Sequence, residues 1–216
     1  MDIHLNKIIR YLIYSDLVFY TGWGLISPIF AIFILDSIKG GDAFVVGMAA
    51  AVHLIIRSVL RVPFGIQVDR GSQRKAFRYM FIGLLIAAFV PAGYIFASNV
   101  WHIYALQAVL GVSLAMSTAG WTGIFAKHMD RGKESTEWGV DAVAVGLGPG
   151  IAGAIGGLTV SYFGFFWVFI AVTVAGFLGV LLLLFIRREI LCGPCPKTGK
   201  LFTARELRRV KKARVN

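Results

Sequence analysis

The sequence predicts an all-α membrane protein of six transmembrane helices, and three observations carry that reading. The 216-residue chain is 57% hydrophobic and only 15% charged, with a mean hydropathy of +0.75. A soluble domain of this length has too small a core to hide so much apolar surface. Six apolar runs of at least 19 residues follow one another, at 11–35, 43–68, 79–97, 100–126, 140–163 and 165–186. About 20 residues at ~1.5 Å each cross ~30 Å of hydrocarbon, and none of the runs shows the alternation of a barrel strand. Finally, 19 of the 22 Lys and Arg residues fall on one side of the zigzag that six such spans describe.

The first span, 11–35, follows Lys7 and Arg10. It is too long for a cleavable signal and lacks a clear small-residue cleavage site. The second, 43–68, carries His53, Arg57 and Arg61 at steps of four, hence on one helical face. Between the second and third spans stand Arg70, Arg74, Lys75 and Arg78; between the fourth and fifth stand Lys127, Arg131 and Lys133. Ten more cations follow Ile186, whereas the opposite side holds Lys39 alone. The positive-inside rule then places both termini in the cytoplasm of a multi-pass protein of the cell (inner or plasma) membrane. The outer connections, 36–42, 98–99 and Gly164, are short, so the first and second, third and fourth, and fifth and sixth spans are expected as tight antiparallel pairs.

Two regions result: a six-helix bundle over 1–187 and a basic cytoplasmic tail over 188–216. In the tail, Thr203 and Glu206 have capping-box spacing ahead of Leu207 and Val210 amid many cations. A short amphipathic helix on an anionic leaflet fits, as does an unstructured basic tail. Topology and tail account for the net charge of +11, so nucleic acid is not an expected partner. The CGPC run at 192–195 has the spacing of a redox pair, but no βαβ scaffold surrounds it. The expected reading is a Gly-Pro turn after the last span, beside the alternatives of thiol redox work or zinc shared between two tails. No cofactor, metal site or enzymatic chemistry is expected.

The stretch GIQVDRGSQRK, 65–75, resembles the loop between helices 2 and 3 of the major facilitator superfamily, whose pattern is roughly G-x-x-x-D-R-x-G-R-R-K. Gly65, Asp69, Arg70, Arg74 and Lys75 match, and Gly71 comes one position early. GLGPGIAGAIGG, 146–157, resembles the glycine/proline motif of helix 5 in the antiporter branch. There Gly146, Gly150, Gly153 and Gly157 step by 4, 3 and 4, so one face permits close packing, with Gly148 and Pro149 inside the motif. FGFFWVFI at 163–170 and GLISPIF at 24–30 are similar to the helix 5–6 junction and the first helix. The resemblance covers 1–187 and implies half of a fold normally built from twelve helices in two six-helix halves.

The implied function is secondary transport of a small organic solute, in the direction of export, by a half-unit needing a second copy or a partner half. The alternative is a non-transporting or truncated half acting as a membrane partner or regulator. Charges within spans cost ~2.5–3.5 kcal/mol each on insertion scales, so they mark the solute or ion pathway. The candidates are Asp16, Tyr20, Trp23, His53, Arg57, Gln107, Ser117 and Trp121, with the aromatic rings available to an aromatic or cationic solute. Asp16 lies roughly 9 Å and Arg61 roughly 12 Å inside the same membrane face, so the two are expected to form an ion pair, with Arg57 as the alternative partner of Asp16. Proton-coupled members usually carry arginine four residues before the helix 4 glycine that Gly111 resembles; here that position is Gln107, which leaves proton coupling open. Asp141 reads as a helix-dipole residue near the start of the fifth span. The loop at 65–75 is expected to latch one half against the other.

Overall fold

The computed structural model describes residues 5–192. The helices are α1 (Lys7–Ile26), α2 (Phe30–Ser37), α3 (Ala43–Asp69), α4 (Gln73–Ile95), α5 (Val100–His128), α6 (Glu134–Phe163) and α7 (Phe165–Cys192). Together α1 and α2 make the first of six helices long and apolar enough to cross a membrane. A 3-10 turn at Ser27–Ile29 separates them. Pro28 lies in that turn, where its missing N–H and its ring weaken the α-helical hydrogen bonding.

Caps mark several helix starts. The side chains of Asn6, Asp42 and Asn99 accept the backbone N–H groups of Ile9, Val45 and His102, which the first turns leave free. Gly164, at a φ of 79°, supplies the left-handed residue that separates α6 from α7. Helices α4, α6 and α7 extend well beyond the apolar runs, to Gln73, Glu134 and Cys192. Hydropathy registers only the part of a helix in hydrocarbon, whereas its hydrogen bonding continues into the polar interface. Cys195, Thr203 and Glu206 lie outside the described residues.

Sequence order does not set helix neighbours. In packing order the bundle runs α3, α5, α4, α7, α1, α6, each lying broadly on the next, while α1 and α5 touch only lightly. Of the three expected sequential pairs, α4 and α5 alone pack extensively; α6 and α7 touch sparingly, and α1 has no substantial contact with α3. A short loop fixes proximity at one end only, and the complementary faces point elsewhere.

Small residues decide those faces. A side chain added at Gly24 would run into the backbone of Pro149, and one at Gly156 would run into Leu25, so α1 and α6 meet backbone to backbone. At the α4–α5 contact, a Cβ on Gly83 would lie 2.5 Å from the Ser113 carbonyl oxygen. The core residues Phe19, Ile103, Phe125 and Phe169 are fully or almost fully buried along this chain of contacts.

The ends of the packing order are bare. Only 11% of the most apolar stretch of α3 is buried, and 17% of that of α6, against 56% for α5. The two helices therefore flank an open side of the bundle. At the end carrying the chain termini, Lys7 pairs with Glu189 at 2.6 Å and the Asn6 amide donates to the His128 carbonyl. At the opposite end the Lys39 N–H donates to the Ser98 carbonyl at 3.2 Å, tying two outer loops together.

Candidate functional site: a two-part cavity

Between the flanking helices lie two adjoining cavities. One, of about 320 Å³, is lined by Phe19, Tyr20 and Trp23 of α1, His53 and Leu54 of α3, and Gln107 and Leu110 of α5. The other, of about 190 Å³, lies nearer the termini, with Asp16, Arg61, Ser117, Trp121, Trp138 and Asp141 among its walls. Tyr20 and Leu114 line both, so the two compartments share a partition.

Their positions follow from the packing. Because α1 leans on α6 and α7 rather than on α3, space remains between α1 and α3, floored by α5. The i, i+4 and i+7 spacings then load that space. Asp16, Tyr20 and Trp23 recur on one face of α1, and Gln107, Leu110, Leu114, Ser117 and Trp121 do so on α5.

The structure places seven of the eight expected pathway residues on the cavities. Tyr20, Trp23, His53 and Gln107 line the larger; Asp16, Tyr20, Ser117 and Trp121 line the smaller. The eighth, Arg57, is half-buried and lies within Coulombic reach of Tyr20 and His53.

The expected ion pair between Asp16 and Arg61 is not formed. Among the described residues the one ion pair within 4.0 Å is Lys7–Glu189, and Asp16 and Arg61 instead both line the smaller cavity. Equal depth was a sound inference, but pairing also needs the two helices to touch, and α5 and the cavity keep them apart.

The expected packing face of α6 also needs correction. Gly148 and Pro149 meet α1, Gly153 approaches Pro28, and Ala152 and Gly156 complete that face. Gly146, Gly150 and Gly157 have no neighbour within 4 Å of the space a side chain would take. The stripe in use is 148, 152 and 156, a strict step of four that turns it about a third of a turn away from the more glycine-rich face.

Asp141 and Trp138 were missed as cavity residues. Asp141 lies seven residues before Gly148, on the stripe that faces α1, and that spacing is the signal that identifies it. Four buried polar atoms on the cavity walls have no protein hydrogen-bond partner among the described residues: Nε1 of Trp23, Nδ1 of His53, Nε1 of Trp121 and Oδ1 of Asp141. Buried polar groups are normally satisfied, so their concentration here marks a place built to meet something polar.

The 65–75 loop is pinned from within and free at its acid. The Tyr79 hydroxyl donates to Gln67 at 2.7 Å, and the Lys75 ammonium sits 5.5 Å over the Tyr79 ring. Asp69 and Arg70 are exposed, and no side chain comes within 4 Å of the position a Cβ on Gly65 would take.

Comparison with known proteins agrees with this architecture. The family model described as Major Facilitator Superfamily matches residues 13–212. Among curated proteins, none matches the chain by sequence. Among solved structures, the fold is similar to the in meso crystal structure of the POT family transporter PepTSo, with a TM-score of 0.67 and 15% identity. That match covers 86% of this chain and 38% of the other, so the chain spans well under half of that protein's length.

Proposed function

This chain belongs to the major facilitator superfamily, and from that premise we propose that it forms one six-helix wall of a secondary transporter for a small organic solute. A second six-helix unit, from another copy or a partner half, supplies the opposite wall. The observation that carries the reading is the cavity between α1, α3, α5 and α6, whose largely apolar walls carry polar side chains in both compartments and which opens between the two barest helices. In lipid, Arg57, His53, Gln107 and Asp16 on such a face would lack partners; facing a second unit, they border an aqueous pathway. Export is the proposed direction, supported by the resemblance of 146–157 to the helix 5 motif of the antiporter branch.

The test is reconstitution of the full chain into liposomes, with counterflow of a panel of labelled organic solutes. Saturable flux that falls when Gln107 or Trp23 is replaced by alanine supports transport. Well-folded protein that moves nothing in the panel, alone and with a co-expressed partner half, would favour the non-transporting membrane partner instead.

A further inference from the structure

We propose that the smaller cavity is the binding site for the head group of a monovalent organic cation, whose apolar body occupies the larger cavity beside it. The inference rests on the transport reading only in treating that ligand as the cargo.

Charge is the first argument. Asp16 and Asp141 come from different helices, α1 and α6, to line one space of about 190 Å³. Neither has a cation within 4.0 Å among the described residues. The other charged or titratable groups near that space are Arg61, which borders it, Tyr20 on the partition, and Arg57, whose guanidinium is within reach of Tyr20 and of His53 on the larger cavity. Both carboxylates therefore lack a contacting counter-ion, and a cationic head group placed between them supplies one.

The second argument is unsatisfied hydrogen bonding. Asp141 and Trp121 are each 8% exposed, and each has a buried polar atom without a protein partner. The Asp141 Oδ1 is an acceptor for an N–H or a receiver for a quaternary ammonium. The Trp121 Nε1–H, on the wall of the smaller cavity, is a donor for an acceptor atom beside the head group.

Ring geometry supplies the third argument. Trp121 and Trp138 both line the cavity with centroids 5.6 Å apart, and Phe125 stacks on Trp121 at 4.4 Å, closing the cluster behind it. Paired indoles beside carboxylates are the surroundings in which a desolvated ammonium is held by ring quadrupoles as well as by charge. The adjoining cavity, walled by Phe19, Trp23 and Leu110, suits an aromatic or aliphatic body and disfavours a second charge.

The experiment uses the full chain in lipid nanodiscs, titrated calorimetrically with benzyltrimethylammonium and, for contrast, with phenylmethanesulfonate. Benzyltrimethylammonium keeps its charge at every pH. The expected result is binding of the cation and not the anion. Asp16→Asn and Asp141→Asn should each weaken binding at least ~10-fold. Trp138→Ala, at a residue 41% exposed and so tolerant of truncation, should weaken it ~2- to 10-fold. Glu134→Gln, at an exposed acid off the cavity, should bind as the parent does. No cation binding by the parent, equal binding of the anion, or unchanged affinity in the aspartate variants together with Trp138→Ala would overturn the site. Flux in liposomes without cation binding removes this inference and leaves the transport reading. Cation binding without flux does the reverse.

Discussion

At the scale of single residues, what a side chain touches matters more than whether it is charged. Ser15 is fully buried, and its hydroxyl donates to the Gly179 carbonyl at 2.9 Å, joining α1 to α7. In a membrane such bonds contribute about 1 kcal/mol, since alternatives also exist in the unpacked state. Ser15→Ala should therefore lower stability by about that amount, measured by unfolding in detergent and SDS mixtures. The Lys7–Glu189 pair has the shorter contact, 2.6 Å, but its side chains are 50% and 40% exposed. Solvent and salt screen it, so Lys7→Ala should change stability by less than ~1 kcal/mol and the difference should vanish at high salt. A larger effect for Lys7→Ala than for Ser15→Ala would contradict this ordering.

At the scale of helices, packing is governed by which face is bare of side chains. The α1–α6 contact places Gly24 against Pro149 and Gly156 against Leu25. Gly156→Leu should force the helices apart and cost ~1–3 kcal/mol or more, seen as a lower melting temperature in detergent. Gly150→Leu, six residues away on the same helix, meets open space and should be nearly neutral in the isolated unit. The contrast separates the two glycine faces that the motif at 146–157 contains. If instead Gly150→Leu destabilised the single unit as much as Gly156→Leu, the packing face assigned to α6 would be wrong.

At the scale of the whole molecule, the six helices leave α3 and α6 as bare flanks and Asp69 exposed at the terminal end. A second unit related by an axis along the membrane normal would cover both flanks, keep the basic segments on one side, and bring Asp69 near the start of the other unit's α6. Glu137 and Asp141 lie on that α6 end, so Arg70 or Arg74 would have to share the contact to offset like charges. Cysteines placed at positions 69 and 140, in a background with Cys192 and Cys195 replaced by serine, should cross-link between units in native membranes. Asp69→Asn should reduce flux while leaving melting temperature within a few degrees, because Asp69 has no ion pair among the described residues. Robust flux from a strict monomer, with no cross-link, would defeat the second-unit reading.

The number of helices and the residues lying in apolar segments were legible from the sequence. Hydrocarbon thickness imposes a length on every span, and the cost of buried charge makes Asp16, His53 and Arg57 conspicuous against an apolar background. The 65–75 loop and the 146–157 motif were legible too, because short local patterns survive without any knowledge of neighbours. What hydropathy has no access to is which helix lies on which. In a bilayer the faces that meet other helices are as apolar as those that meet lipid, so the amphipathic stripe that would point a soluble helix toward its partner is missing. Contact is decided instead by shape: Gly83 against Ser113, Gly24 against Pro149, Gly156 against Leu25. That choice separated α1 from α3, which dissolved the expected Asp16–Arg61 pair into two walls of one cavity. It also brought Asp141, which by itself reads as an ordinary acid near a helix start, into the same space as Asp16. Span count and depth are properties of one segment in its solvent; the site is a property of several segments meeting, and only backbone-to-backbone fit determines where they meet.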